Sequence, residues 1–99
     1  MNKESFMAQA AASHILVETE ARAQELKSAI EAGADFAQLA QQNSSCPSAH
    51  QGGALGTFGR GQMVPEFDEV VFTAPVGVVQ GPVKTQFGYH LVLVTERND

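Results

Sequence analysis

Ninety-nine residues with 43% hydrophobic and 17% charged side chains suffice for one domain with its own core, without disulfides or a structural metal. The net charge is −5 and the six basic residues (Lys3, Arg22, Lys27, Arg60, Lys84 and Arg97) are scattered, which speaks against nucleic acid as a partner. No apolar run approaches a membrane span, the N-terminus makes a poor secretory signal and Cys46 is the single cysteine, so a reduced, cytoplasmic protein without a membrane partner is expected.

Residues 1–10 mix polar and apolar types without a period and read as a loose leader to a domain over 11–99. AASHILV at 11–17 predicts a strand, with Ser13, Ile15 and Val17 on one face and His14 and Leu16 on the other. Both faces are largely apolar, as in a central strand covered on both sides. Thr19 is placed to cap a helix over 20–32 whose stripe is Ala23, Leu26 and Ile30, with Gly33 as its stop. Asp35 caps a second helix with Phe36, Leu39 and Ala40 facing inward, and Pro47 hinders its resumption.

Five glycines between Gly52 and Gly61 exclude a helix there and predict left-handed turns or close backbone approach. Leu55, Met63 and Phe67 set large apolar groups beside that loop, where they either plug the core or face a ligand. Ala54–Phe58 predicts a short strand. Pro65 opens a third helix with Phe67, Val70 and Val71 on one face and Phe72 at its edge. The run 78–85 contains Gly81-Pro82 and so reads as an edge or bent strand. Gln86-Phe87-Gly88 reads as a hairpin connection, and YHLVLVT at 89–95 as a strand buried on both faces. The order β, α, α, loop, β, α, β, β argues for an α+β fold with a largely antiparallel sheet.

His14 and His90 each lie in an apolar strand, where a buried imidazole needs a hydrogen-bond partner. If the two strands are neighbours, the rings could satisfy each other. Cys46 offers a thiol without a recognisable protease context, and free cysteine is commonly a buried residue. No two of His14, Cys46, His50 and His90 have metal-ligand spacing, and the glycine loop lacks the pattern of a phosphate cradle, so neither metal nor cofactor is expected.

SHILV at 13–17, ADFAQLA at 34–40, GGALGTFGRGQMVPEFDEVVF at 52–72 and GPVKTQFGYHLV at 81–92 resemble a parvulin-type peptidyl-prolyl cis-trans isomerase, most of all the small stand-alone bacterial parvulins. The resemblance covers residues 11–97. It implies a four-stranded antiparallel sheet surrounded by about four helices. It further implies that His14 and His90 pair at the floor of the site, with Thr85 hydrogen-bonded to them and Cys46 facing the isomerising bond. Leu55, Met63 and Phe67 would take the proline ring, with Gln62 at the rim and Phe87 as a further wall. Phosphate-directed relatives carry basic residues after the first strand; here Glu18-Thr19-Glu20 stands there, which implies no phosphoserine preference. The resulting expectation is a monomeric isomerase of X-Pro bonds in unfolded or flexible polypeptides, acting non-covalently. A proline-peptide binding module or chaperone with little turnover is the alternative, and a thiol hydrolase a remote third.

Overall fold

The computed structural model describes residues 9–98 and contains, among them, four strands and three α-helices. They follow in the order β1 (Gln9–Val17), α1 (Glu20–Glu31), α2 (Phe36–Asn43), β2 (Ala54–Gly59), α3 (Pro65–Thr73), β3 (Val79–Thr85) and β4 (Gly88–Asn98), with a short 3-10 helix at Pro47–Gln51 after α2. The strands form one antiparallel sheet in the order β2-β1-β4-β3. This is the α+β architecture expected from the element order. No helix among the described residues is long and apolar enough to cross a membrane.

Each α-helix starts where its local chemistry dictates. The Thr19 hydroxyl accepts the Arg22 amide at 3.2 Å, and Asp35 Oδ2 accepts the Gln38 amide at 3.0 Å, each satisfying a first-turn donor that has no partner within the helix. Pro65 sits in the first turn of α3, where its missing N–H costs nothing. Gly33 ends the α1 turn with φ +113°, and its amide reaches the Ile30 carbonyl at 3.0 Å.

The sheet separates two apolar clusters. On one face α1 and α2 bring Ala23, Leu26, Phe36 and Ala40 onto Ile15, Val17, Val79 and Leu91. On the other, α3 brings Phe67, Val71 and Phe72 onto Ala10, Ala12, Phe58, Val92 and Val94. The pleat of β1 thus divides as its alternation predicted, with Ile15 and Val17 on the first face and His14 on the second, against Phe67.

Several boundaries differ from the sequence expectation. The strand β1 begins at Gln9, because its first residues pair with β2 through Gln9↔Gly59 and with β4 through Gln9↔Asn98. Gln9 and Ala10 therefore belong to the sheet, while residues 1–8 of the expected leader lie outside the described residues. The polar end of β4 runs to Asn98 for the same reason. Phe72, expected at the edge of the apolar face of α3, is fully part of the core, its ring 6.3 Å from that of Phe58 in an edge-to-face pair. Pro47, read only as a stop, opens the 3-10 helix. An extra residue in β3 between Gln80 and Val83, at Gly81-Pro82, bends this edge strand as its composition suggested.

Candidate active site

The site lies on the α3 face, where β1 and β4 are neighbours. The register sets Leu16 opposite His90 and His14 opposite Val92, so the two histidines fall diagonally across one strand pair on the same face. His14 Nδ1 and His90 Nδ1 are 3.0 Å apart, and the rings stack with centroids 5.2 Å apart and planes 17° from parallel. Phe67 meets both rings edge to face, at 5.5 and 5.7 Å. Thr85, at the end of β3, lies with Oγ1 2.7 Å from His90 Nε2 and accepts the Phe87 amide at 3.1 Å.

Burial, and for His14 also the neighbouring ring, disfavours the charged form of each histidine. His14 is lowered from 6.5 to about 4, first by loss of water and then by proximity to His90; His90 is lowered by burial. The protons are assigned by matching donors to acceptors. Thr85 already accepts from Phe87, so its own hydrogen needs an acceptor, which His90 Nε2 supplies. His90 then carries its proton on Nδ1 and donates it to His14 Nδ1, which leaves the His14 proton on Nε2. In the reverse order the Thr85 hydroxyl would lose its acceptor, while His14 Nε2 would still be unmatched. His14 Nε2 is buried without a hydrogen-bond partner among the described residues in either order.

Above the histidines opens a cavity of about 410 Å3, within the size range of small-ligand sites. Leu55, Met63, Phe67 and Phe87 form its apolar walls, with His14, His90 and Cys46 among its lining. Each wall has a traceable origin. Leu55 comes from β2, where the step from Ala11↔Thr57 to Ser13↔Ala54 accommodates one extra residue. Met63 follows a loop held by two side-chain contacts: the Gly59 amide donates to Gln62 Oε1 at 2.7 Å, and the Gly61 amide to Asp68 Oδ1 at 2.9 Å. Phe87 projects from the β3–β4 turn and is 62% exposed, so it forms an open rim.

Cys46 is brought there by the junction of α2 with β1. The Leu16 amide donates to the Ser44 hydroxyl at 3.0 Å and the Ser45 amide to the Leu16 carbonyl at 2.8 Å. The chain then turns through Cys46 into the 3-10 helix, which closes on Gly52 and Gly53.

The structure brings together His14, Cys46, Leu55, Met63, Phe67, Phe87 and His90 around the cavity, with Thr85 behind His90. It does not place Gln62 among the lining residues; that side chain fastens its own loop, as the Gly59 contact shows. His50 is exposed on the 3-10 helix, outside the cavity. Leu16, Ser45, Pro47 and Val64 also line the cavity and were not singled out from sequence. Leu16 was within reach of the pleat argument, since it shares the His14 face; Ser45 and Pro47 needed the tertiary docking of α2. Among the described residues no three histidine, cysteine or acidic side chains gather where they could hold a metal ion.

The comparisons agree with this geometry. Foldase protein PrsA of Halalkalibacterium halodurans is 52% identical over 89 residues, which is 89% of this chain and 27% of that protein. The crystal structure of the peptidylprolyl isomerase PrsA from Bacillus anthracis superposes with a TM-score of 0.91 at 37% identity, covering 97% of this chain and 45% of the other. The solution structure of the parvulin of Nitrosopumilus maritimus superposes with a TM-score of 0.80 at 36% identity, covering 87% of this chain and 94% of that one. The chain thus spans about a quarter to a third of the length of the first curated relatives, and nearly all of the Nitrosopumilus parvulin. The model of the PPIC-type PPIase domain matches residues 1–98, and with it this chain belongs to the parvulin family of PPIC-type domains.

Proposed function

We propose that this domain accelerates rotation about X-Pro bonds in unfolded or flexible polypeptides. The observation that carries the reading is the apolar cavity of about 410 Å3 built directly on a neutral, mutually hydrogen-bonded histidine pair. Support comes also from the family and from relatives named foldase or peptidylprolyl isomerase.

Amide resonance opposes the rotation with a barrier of ~18–20 kcal/mol, and no covalent bond has to break. The twisted amide has lost that resonance and carries less charge separation than either planar form, so a dry apolar site disfavours it less than it disfavours the planar ground states. Leu55, Met63 and Phe67 grip the pyrrolidine ring and fix one side of the bond while the preceding residue turns. The lowered pKa of His14 keeps the floor uncharged, so no cation there stabilises the planar carbonyl dipole. Each ~1.4 kcal/mol of preference for the twisted form gives about tenfold in rate. Cys46 stands beside the bond as a polarisable, uncommitted side chain; covalent attack is not required.

The decisive test is cis-trans exchange by NMR on short X-Pro peptides, with wild type, Phe67→Ala and Phe87→Ala. Phe67→Ala removes a buried ring and costs stability of about 3–5 kcal/mol, so its folding is checked first. Phe87→Ala trims an exposed rim and keeps the fold. Accelerated exchange that falls in both variants supports the isomerase. Peptide shifts without acceleration would establish the alternative, a binding module or chaperone.

The domain works as a monomer, which sedimentation tests. Its partners are proline-containing polypeptides and neither nucleic acid nor membrane, a reading supported by the net charge of −5. Its compartment is the cytoplasm, a reading supported only by the unpaired Cys46; an exported fraction containing the protein would overturn it.

A further inference from the structure

Two further recesses adjoin the apolar cavity. One, of about 300 Å3, is lined by Val17, Glu18, Thr19, Arg22, Asn43 and Ser45 and shares Ser45 with the cavity. The other, of about 240 Å3, lies between Val64, Pro65, Glu66, Thr85 and Gln86 and shares Val64 with it. Successive residues of an extended peptide are ~3.3–3.6 Å apart, so a segment whose proline fills the cavity has neighbouring side chains within reach of both recesses.

The charges there are unequal. Arg22 is the single cation lining any of the three cavities, and its guanidinium is engaged: Nη1 lies 2.6 Å from Glu25 Oε1 and Nη2 2.5 Å from Asn43 Oδ1. Glu18 and Glu66 have no cationic partner among the described residues. An acidic side chain entering the first recess would meet Glu18 and have to displace Glu25 from Arg22. A basic one meets a free carboxylate in either recess. Its approach is also favoured by the net charge of −5.

We propose that the site prefers prolines flanked by lysine or arginine, with Glu18 and Glu66 as the specificity-determining carboxylates of the two recesses. This rests on the isomerase reading for the position of the proline. The carboxylates are exposed, so each contributes about a two- to fivefold preference, not an absolute requirement.

The test compares four capped peptides: Lys-Pro, Pro-Lys, Ala-Pro and Glu-Pro, each in an otherwise alanine context. Exchange rate and Kd are both read by NMR titration at 20 mM and 500 mM salt. Both lysine peptides should exceed Ala-Pro by about two- to fivefold at low salt, with Glu-Pro the poorest, and the advantage should shrink at high salt. Glu18→Gln should bring the lysine-to-alanine ratio of one peptide close to one, and Glu66→Gln that of the other. Equal treatment of Lys-Pro, Pro-Lys and Ala-Pro, a preference for Glu-Pro, or a lysine advantage that survives in both variants would overturn the proposal. If no peptide's exchange is accelerated, the isomerase reading fails, and the Kd ratios still decide the preference for basic neighbours.

Discussion

His90 is tied on both of its nitrogens, and Thr85 is the side chain that fixes which one holds the proton. The Thr85 hydroxyl receives the Phe87 amide and gives its hydrogen to His90 Nε2, so one hydroxyl orders the ring and the turn that carries the cavity rim. Thr85→Val keeps the shape and removes both bonds, leaving the Phe87 amide and His90 Nε2 without partners. The expected cost is about 2–3 kcal/mol in urea unfolding. Thr85→Ser retains the hydroxyl and loses one methyl, about 1 kcal/mol. In Thr85→Val, 15N shifts of His90 should show its proton redistributed between the two nitrogens; Thr85→Ser should match wild type. Equal stability and equal imidazole shifts in the two variants would contradict the proton order assigned to the pair. At this scale the sequence was informative because an imidazole in an apolar strand needs a partner, and two such strands suggested each other. It did not show Gln62 turning back onto Gly59, since a carboxamide beside a flexible loop has many acceptable partners.

The glycine-rich passage earns its composition at particular points. Gly53 has φ +85°, and a Cβ there would lie 2.4 Å from the His14 carbonyl oxygen and 3.2 Å from the Ala40 Cβ; its own carbonyl accepts the His14 amide at 2.9 Å. Gly56 has a similar φ of +79°, yet a Cβ there meets nothing within 4 Å. The pair separates two physical effects. Gly56→Ala should cost only the left-handed backbone conformation, about 1–2 kcal/mol. Gly53→Ala adds a collision with the backbone of β1 and should cost clearly more, with loss of isomerisation because His14 is displaced. Urea midpoints and peptide exchange for both variants test this; equal losses would show that close packing on His14 is unimportant. Sequence could predict that these glycines serve turns or close approach, but not which glycine does which, because the approaching atoms come from β1 and α2. The helices α1 and α2 were legible almost to the residue, since their caps and stops are local. The 3-10 helix was missed because Pro47 both ends one helix and can begin another.

The whole molecule puts its neutral histidine pair on one face of the sheet, opposite the cluster built from α1 and α2, and this couples the site to stability through pH. The element order revealed the antiparallel sheet, and the resemblance named most of the cavity residues. The extra lengths of β1 and β4 are not legible in the sequence because they are set by partners distant in sequence, not by residue type. Burial at such a long-range junction disfavours the charged form of the ring while the domain is folded. His14 titrates at 6.5 when exposed and at about 4 when folded, and His90 is lowered as well. Between those values the unfolded chain binds a proton that the native chain refuses, so stability rises with pH through this window and falls as pH is lowered. The contribution of His14 is fully present above pH 6.5 and is lost progressively toward pH 4. For this residue alone the loss by pH 5 is about 2 kcal/mol. Urea unfolding at pH 7, 6 and 5 should show the decline, while 15N shifts of native His14 remain those of a neutral ring at pH 5.5. Isomerisation per folded molecule should change little from pH 8 to 5.5 as far as His14 is concerned, because that ring keeps one protonation state there. A native His14 that titrates near 6.5, or stability unchanged between pH 7 and 5, would show that the pair is open to water and that its neutrality is not part of the site.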